Sequence, residues 1–301
     1  MKARRWRHGA LLGLVMVVAL MAAGCGDNGD DTGGGTGTAT TAPAVDEALA
    51  AKVPAEVKSD GKLVVGTDTT YSPNEFLDTD GKTPVGWDID LFAAVAAKLG
   101  LKTDFRPAKF PDIIPGILSG KYEIGVSSFT INPERKQQVN MVSYFNAGTQ
   151  WGAKKGNPTG IQPDDACGKK VAVQTGTVQE TEDLPKRQAA CKSAGKPAFT
   201  IDSYQDQGQA TAAIVSGKDD AMLADSPVVA YAVKQTNGQL ELLGDIYEAA
   251  PYGYVIKKEQ TEFAQAVADA VKALISDGTY KTILEKWGVQ AGAIENPAVN
   301  P

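Results

Sequence analysis

Residues 122–135 read YEIGVSSFTINPER, a short apolar run followed directly by hydroxyl groups and, at its end, by an arginine. The run 122–126 predicts a buried strand. Its carboxyl end is followed by three hydroxyl side chains, those of Ser127, Ser128 and Thr130. In open α/β sheets the ligand is held at the carboxyl ends of the strands. Arginine and hydroxyl groups suit a carboxylate, although Arg135 could also be a surface charge on a helix.

Strands and helices alternate on both sides of this stretch. Short apolar runs predict further strands at 63–66, 171–174, 221–224 and 252–256. Apolar residues at helical spacing predict helices at 88–99, from 111 onwards, and at 205–216, 227–236, 260–275 and 279–287. This alternation is typical of α/β lobes built around mainly parallel sheets.

The loops after these strands carry the polar groups that a zwitterion requires. They contribute Asp68, Tyr71, Thr177, Gln179 and Asp225. A carboxylate is bound by arginine, hydroxyl groups and helix amides, whereas an ammonium is bound by an aspartate. After residue 24 the chain has only three arginines, and Arg135 alone closely follows a strand end. These residue types therefore predict a site for a small zwitterion.

The first 25 residues have the pattern of an export signal. Lys2, Arg4, Arg5 and Arg7 precede the apolar run 11–21, which is too short for a comfortable membrane span. The sequence Ala-Ala-Gly-Cys at 22–25 resembles the lipobox of bacterial lipoproteins, with Ala22 where leucine is more usual. We therefore predict that Cys25 is lipidated and tethers the chain to the outer face of the membrane. An ordinary secretory signal is the alternative.

Charge and composition exclude several classes of protein. The 301-residue chain has a net charge of -6, and removing residues 1–24 leaves 26 basic residues against 36 acidic ones. Such an acidic protein is not expected to bind nucleic acid. The single histidine, His8, lies in the leader, so the remaining chain has no histidine for metal binding or catalysis. Cys167 and Cys191 predict a disulfide in an exported protein; two buried free thiols are the alternative.

Several motifs, taken in order, resemble the bacterial extracellular solute-binding proteins, family 3, which bind polar amino acids for ABC importers. The motifs are GTDTTYSP at 66–73, GWDIDL at 86–91, SSFTINPER at 127–135, QTGTVQE at 174–180, Asp225 after its strand, and DGTY at 277–280. The resemblance covers residues 60–290. The chain departs from the family at Asn74, where phenylalanine is usual, at Gly125 and at Val178.

The resemblance implies a two-lobed α/β fold of the periplasmic-binding-protein-like (type II) class, with a hinge between the lobes. The predicted first lobe comprises 59–147 and 250–291, and the second comprises 148–249. Outside the lobes we predict a lipoprotein signal peptide at 1–24, a flexible tether at 25–58 and a tail at 292–301. We expect a monomer that binds no metal or cofactor.

In this family the first lobe holds the ligand carboxylate through Arg135, Thr130 and backbone amides near Ser128. The second lobe adds Thr177 and Asp225, and Tyr71 and Phe110 enclose the ligand side chain. The full predicted set is Asp68, Tyr71, Phe110, Ser127, Ser128, Thr130, Arg135, Thr177, Gln179 and Asp225.

The resemblance implies that the chain captures a polar amino acid by hinge closure and delivers it to an ABC permease. Asp68 is expected to face the ligand side chain, which favours glutamine or a basic amino acid over glutamate or aspartate. Glu75 could reinforce this preference, but we interpret it as a solvated loop charge. Two alternatives use the same fold: a cyclohexadienyl or arogenate dehydratase, which would depend on Asp or Glu, and a sensor input domain.

Overall fold

A computed structural model describes residues 43–301. The predicted signal peptide at 1–24, the predicted lipidation site Cys25 and the predicted tether up to residue 42 lie outside the described residues. Within the described part, no helix is long and apolar enough to cross a membrane.

Apolar side chains such as Leu63, Val65, Val171 and Val173 are buried on inner strands of an eight-stranded sheet. Its strands are β1 (Lys62–Thr67), β5 (Lys102–Pro107), β6 (Ile124–Gly125), β7 (Val139–Lys154), β8 (Lys170–Gln174), β9 (Thr200–Tyr204), β10 (Ala221–Asp225) and β11 (Leu240–Lys257). A separate small sheet contains β2 (Thr70–Tyr71), β3 (Glu75–Leu77) and β4 (Pro84–Val85).

The strand order β5-β1-β6-β11-β7-β10-β8-β9 divides the large sheet into two halves. β1 pairs in parallel with β5 and β6 in the first half, and β8 pairs in parallel with β9 and β10 in the second. The long strands β7 and β11 pair antiparallel along both halves, with register shifts between Leu243 and Ala250. The predicted two-lobed α/β fold is therefore confirmed, and we name the lobes after these halves.

Helices cover both faces of each lobe. They are α1 (Glu47–Ala50), α2 (Ala55–Lys58), α3 (Trp87–Lys98), α4 (Phe110–Ser119), α5 (Pro133–Gln138), α6 (Leu184–Ser193), α7 (Gln207–Ser216), α8 (Ser226–Gln235), α9 (Thr261–Ser276) and α10 (Thr279–Trp287). In the first lobe α3, α9 and α10 pack on one face and α4 on the other. In the second lobe α7 and α8 lie opposite α6.

The predicted tether at 25–58 is wrong for its described part. Residues 47–58 form α1 and α2, and Leu49, Val53 and Val57 are buried in the core of the first lobe. Asp46 caps α1 by accepting hydrogen bonds from two of its amides. Three apolar residues at near-helical spacing bury enough surface to order this segment.

The last residues, predicted as a tail at 292–301, are hydrogen-bonded to the first lobe. Ser143 donates its amide to the Ala298 carbonyl at 2.9 Å, and Asn300 donates its amide to the Met141 carbonyl at 2.7 Å. The segment 298–300 thus covers the edge of β7 that β10 does not reach. Unpaired strand edges are costly and prone to association, which explains why the chain end is fixed there.

A disulfide joins Cys167 to Cys191, as predicted, with their Cα atoms 5.6 Å apart. Cys191 lies on α6 and is 5% exposed. The bond ties the loop before β8 to the helix that covers the outer face of the second lobe.

Candidate functional site

All ten residues predicted to bind the ligand line one cavity between the two lobes. Two further residues, Gln174 and Val178, complete the lining. The residues come from the loops after β1, β6, β8 and β10 and from the start of α4, as expected for loops at the carboxyl ends of strands.

The lobes are closed over this cavity. Its volume is about 10 Å³, roughly the space that one water molecule needs. Hydrogen bonds cross the cleft from Arg135 Nη2 to the Gly176 carbonyl (3.0 Å) and from Gln174 Nε2 to Asp68 Oδ2 (2.7 Å). An amino acid therefore requires the cleft to widen and these side chains to move.

Arg135 is the cation of the site. Asn132 caps α5 and accepts a hydrogen bond from the Arg135 amide at 2.8 Å, which fixes the start of the helix that carries the arginine. The guanidinium donates to the carbonyls of Thr130 and Gly176 and lies 5.4 Å from the ring centre of Phe110. Burial lowers the pKa of Arg135 to about 10, so the side chain remains a cation at neutral pH. Two of its five N–H donors are used, which leaves three for a ligand.

Asp225, in the second lobe, is the acid whose charge acts most strongly on Arg135. It is 5% exposed and accepts hydrogen bonds from the Tyr252 hydroxyl (2.6 Å) and Gln179 Nε2 (2.8 Å). Burial raises the pKa of Asp225, while these hydrogen bonds and the charge of Arg135 oppose the rise. Its carboxylate therefore sits in a low-dielectric setting where a cation would bind strongly.

Asp68 is a second buried carboxylate, 1% exposed, at the end of β1. Oδ1 accepts from the amide and hydroxyl of Thr70, and Oδ2 accepts from the Phe110 amide (3.1 Å) and from Gln174. Burial raises the pKa of Asp68 against these hydrogen bonds. No lysine or arginine forms an ion pair with Asp68 in the described chain. The site therefore contains an acid without a fixed counter-ion.

The hydroxyl residues are not equally available to a ligand. Ser127 Oγ accepts from the Asp68 amide, and Thr177 Oγ1 donates to the Gln174 carbonyl. Thr130 makes no hydrogen bond through its amide or hydroxyl among residues 43–301. Of these three, Thr130 has the most free hydrogen-bonding groups, and it lies next to Arg135.

The Ser128 amide is already engaged within the protein in this conformation. That amide donates to Asp88 Oδ2 at 3.3 Å, and Ser128 Oγ donates to Glu75 Oε1 at 2.6 Å. Glu75 is fully buried rather than solvated, which corrects the interpretation of Glu75 as a loop charge. Glu75 and Asp88 both lie against Ser128, a contact between distant segments that no local pattern indicates.

The aromatic residues Tyr71 and Phe110 both line the site. Phe110 stacks on Phe129, with ring centres 4.5 Å apart. The Tyr71 hydroxyl accepts a hydrogen bond from the Asp225 amide across the cleft at 3.2 Å, and its ring packs with the core of the second lobe. Both positions agree with walls that would enclose a ligand side chain.

Sequence reasoning missed Gln174 as a lining residue. It is the last residue of β8, and a polar side chain at the carboxyl end of a central strand was the available signal. Val178, which departs from the pattern of the resembling proteins, also lines the cavity and offers no hydroxyl group there.

A model of the family described as bacterial extracellular solute-binding proteins, family 3, matches residues 63–290. The arginine-binding protein ArgT of Corynebacterium glutamicum is 37% identical over 252 residues, which cover 84% of this chain and 82% of ArgT. The L-cystine-binding protein TcyJ of Escherichia coli (strain K12) is 30% identical over 234 residues, covering 77% of this chain and 84% of TcyJ.

Among solved structures, an ancestral arginine-binding protein bound to arginine superimposes with a TM-score of 0.69 at 37% identity. The match covers 75% of this chain and 98% of that one. The two named relatives are binding proteins. They support the expectation that the chain is not an enzyme, and they give no support to a dehydratase.

Proposed function

The chain belongs to the bacterial extracellular solute-binding proteins, family 3, and on this premise we propose that it captures a basic amino acid, arginine first, for an ABC importer. Its relatives bind amino acids, and the choice among amino acids follows from the charges of the site.

The observation that carries the proposal is the charge of the cavity lining. Its ionisable groups are the guanidinium of Arg135 and the carboxylates of Asp68 and Asp225, apart from the weakly acidic Tyr71. A zwitterionic backbone neutralises Arg135 and Asp225, because its carboxylate pairs with the former and its ammonium with the latter. Asp68 then remains as one uncompensated buried charge. A cationic side chain compensates that charge, a neutral one leaves it unpaired, and an acidic one repels it.

Each pole of the proposed ligand has a matching group. The carboxylate is bound by the free N–H donors of Arg135 and by Thr130, and the ammonium by Asp225 with its neighbour Gln179. The ligand side chain extends between Tyr71 and Phe110 to Asp68, with Ser127, Ser128 and Thr177 shaping the walls. Gln174 already donates a hydrogen bond to Asp68. The guanidinium of the ligand therefore either replaces Gln174 at this carboxylate or binds the carboxylate together with Gln174.

Two of the three proteins named above support this choice. The 37% identical relative and the structure with a TM-score of 0.69 are both named for arginine. A ligand that contacts both lobes binds the closed state better than the open one and shifts the population towards closure. Closure is the change that a permease of the importer would recognise.

We propose that the first lobe comprises 59–147 and 250–291 and that the second comprises 148–249. The basis is the course of β7 and β11, the two strands that run through both lobes. The register shifts of β11 between Leu243 and Ala250 and the close approach of Gly148 to Tyr247 lie near both proposed crossings. Irregular pairing at these positions is suited to a hinge.

We also propose that residues 1–24 are an export signal and that Cys25 carries the lipid anchor. Cys25→Ala should release the chain from the membrane fraction of its host. Ser193→Ala, an exposed position on α6, is the control, since it leaves both the anchor and the disulfide intact. Retention of the Cys25→Ala protein in membranes would contradict the anchor.

The specificity proposal is tested with Asp68→Asn. The variant removes the charge that selects a cationic side chain but keeps the shape of the residue, so calorimetry should give a loss of arginine affinity of at least about tenfold. Glutamine binding should change much less. Asp104→Asn, on the exposed surface of β5, is the control. Equal losses for arginine and glutamine would remove the assigned role of Asp68.

A further inference from the structure

A pair of buried carboxyl groups lies directly behind the ligand cavity. Glu75 of β3 and Asp88 of α3 each have an exposed fraction of 0%. Neither lines the cavity, and neither has a role in ligand binding as proposed above. Both contact Ser128, which does line it.

The contacts of the pair are all made by neutral groups. Asp88 Oδ2 accepts from the Tyr144 hydroxyl at 2.6 Å and from the Ser128 amide. Glu75 Oε1 accepts from Ser128 Oγ. Tyr254 also lies against Asp88. Among residues 43–301 no lysine or arginine forms an ion pair with either acid.

Each acid has one oxygen that lacks a hydrogen-bond partner. These are Glu75 Oε2 and Asp88 Oδ1, both fully shielded from solvent. The two carboxyl groups lie within hydrogen-bonding reach of each other. A single proton between them satisfies both oxygens, whereas two ionised carboxylates at this separation would repel each other in a low-dielectric interior.

Ser128 depends on this pair for its conformation. Its φ is 51°, in the left-handed region that residues other than glycine rarely adopt. Three hydrogen-bonded partners hold Ser128: Glu75 and Asp88 accept from it, and Asn74 donates to Ser128 Oγ at 2.9 Å. Asn74 is in turn fixed by a hydrogen bond from Trp87 Nε1 at 2.7 Å. The loop that leads to Thr130 and Arg135 therefore rests on the two acids.

We propose that Glu75 and Asp88 share one proton, which Glu75 carries, and that the pair in this state positions the loop at Ser128. When the pair loses this proton in alkaline solution, the site loses order. The proposal rests on the proposed function only in taking Ser128 to lie beside the ligand.

The surroundings set the direction of the pH dependence. The titratable groups that face the pair are Asp68 from β1, Tyr71 from β2, Tyr144 from β7, and Tyr252 and Tyr254 from β11. None is a cation, and burial together with the charge of Asp88 raises the pKa of Glu75 well above its usual range. A raised pKa in the folded state means that the stabilising contribution is present at low pH and is lost as pH rises through that value.

Glu75→Gln is the decisive variant, because an amide reproduces a protonated carboxyl group. Its NH₂ group donates to Asp88 and its oxygen accepts from Ser128, and it cannot ionise. We expect this variant to bind arginine like the wild type at neutral pH. Its free energy of unfolding should fall less than that of the wild type as pH rises from about 5 to about 9.

Glu75→Ala and Glu285→Gln are the controls. The alanine variant removes the donor and should weaken binding by at least about tenfold, whereas Glu285 is an exposed helix residue and its substitution should leave the pH profile of unfolding unchanged. If Glu75→Ala proves too unstable, the infrared carbonyl band of a protonated carboxyl group, present in the wild type at neutral pH and absent in Glu75→Gln, tests the proposal without any ligand.

Two results would overturn the proposal. One is a Glu75→Gln protein that is weakened as much as Glu75→Ala or that keeps the full alkaline loss of stability. The other is the absence of that infrared band from the wild type. Because the unfolding and infrared measurements need no amino acid, a wrong ligand assignment would leave them unchanged.

Discussion

Arg135 contributes the positive charge of the cavity, and its hydrogen bond to the Gly176 carbonyl joins the lobes even before a ligand is considered. Substituting Arg135 is therefore expected to weaken ligand binding more than substituting an ordinary surface arginine would. The buried setting matters because a carboxylate ligand that loses its only cation stays desolvated and unpaired.

Arg135→Ala should weaken arginine binding by about 2–5 kcal/mol, which is about 30-fold to several thousand-fold. Arg135→Lys should recover only part of this loss, because lysine keeps the charge but not the planar fork of donors. Calorimetry measures both, with Arg106→Ala, an exposed residue, as the control. A nearly unchanged dissociation constant for Arg135→Ala would remove the carboxylate-anchor role.

Asp68 and Asp225 should make binding sensitive to acid. Burial raises the pKa of both carboxyl groups, so they gain protons at a higher pH than exposed aspartates do. Their attraction for a cationic ligand is present at neutral pH and lost as pH falls through the raised values. Arginine affinity measured from about pH 7 down to about pH 4 should decrease, and Asp68→Asn should show a smaller decrease. A flat profile for the wild type would contradict this account.

At the scale of residues, polar side chains after apolar strands predicted the site well. Nine of the ten predicted residues were found as loop residues after strands, and they line one cavity because strand ends converge in an α/β sheet. Phe110, at the start of α4, was predicted only from the resemblance and also lines the cavity. Glu75 could not be predicted in the same way. Whether an acid in a loop is solvated or buried depends on what covers it, here Asp88 and Ser128 from segments distant in the sequence.

At the scale of elements, most helices and the inner parallel strands were predictable, whereas of the two long strands β7 and β11 only residues 252–256 were predicted. β7 is sixteen residues long and buried on both faces over most of its length, so it lacks the alternation that marks a half-buried strand. β5 and β9 lie at the two edges of the sheet and carry polar residues. α6 has no clear apolar stripe because Cys191 and Leu184 provide its buried contacts.

The chain end is expected to stabilise β7. Deleting residues 294–301 removes the hydrogen bonds of Ala298 and Asn300 to Ser143 and Met141. Hydrogen exchange should therefore become faster at the amides of Met141 and Ser143, while amides of β8 serve as an internal control. The melting temperature should fall as well. Unchanged exchange at both amides would contradict the observed pairing.

The disulfide between Cys167 and Cys191 closes a loop with a sequence separation of 24. In the chain-entropy account a loop of this length stabilises the fold by about 3 kcal/mol. Cys167→Ala with Cys191→Ala should lower the free energy of unfolding in urea by about that amount, while arginine binding persists, because neither residue lines the cavity. A double variant as stable as the wild type would contradict this estimate.

At the scale of the whole molecule, contacts outside the cavity also join the lobes. Lys109, just before α4, forms an ion pair with Asp206, just before α7. Asp206 occupies the N-cap of α7, but its side chain accepts no hydrogen bond from the amides of that helix, whereas the side chain of an N-cap aspartate ordinarily does. Beside it, the Gln207 amide donates to Thr70 Oγ1 at 3.2 Å. The ion pair between Lys109 and Asp206 closes the cleft near Asp68.

Lys109→Met should speed ligand release and weaken affinity by about 0.2–1 kcal/mol, the usual value of a partly exposed ion pair. The charge-reversed double variant Lys109→Asp with Asp206→Lys should restore much of the loss, and high salt should reduce the difference from the wild type. Lys155→Met, which breaks a pair within the second lobe, is the control. A double variant that binds the ligand more weakly than either single variant would show that this ion pair does not hold the cleft closed.

The most direct test of the central claim compares arginine with citrulline, its neutral isostere, by calorimetry on the wild-type protein. Both ligands offer the same backbone groups to Arg135 and Asp225, and they differ only in the charge presented to Asp68. We predict that arginine binds at least about tenfold more tightly, since a charged hydrogen bond to a buried carboxylate is replaced by a neutral one. Equal or tighter binding of citrulline would contradict a site built for a basic amino acid.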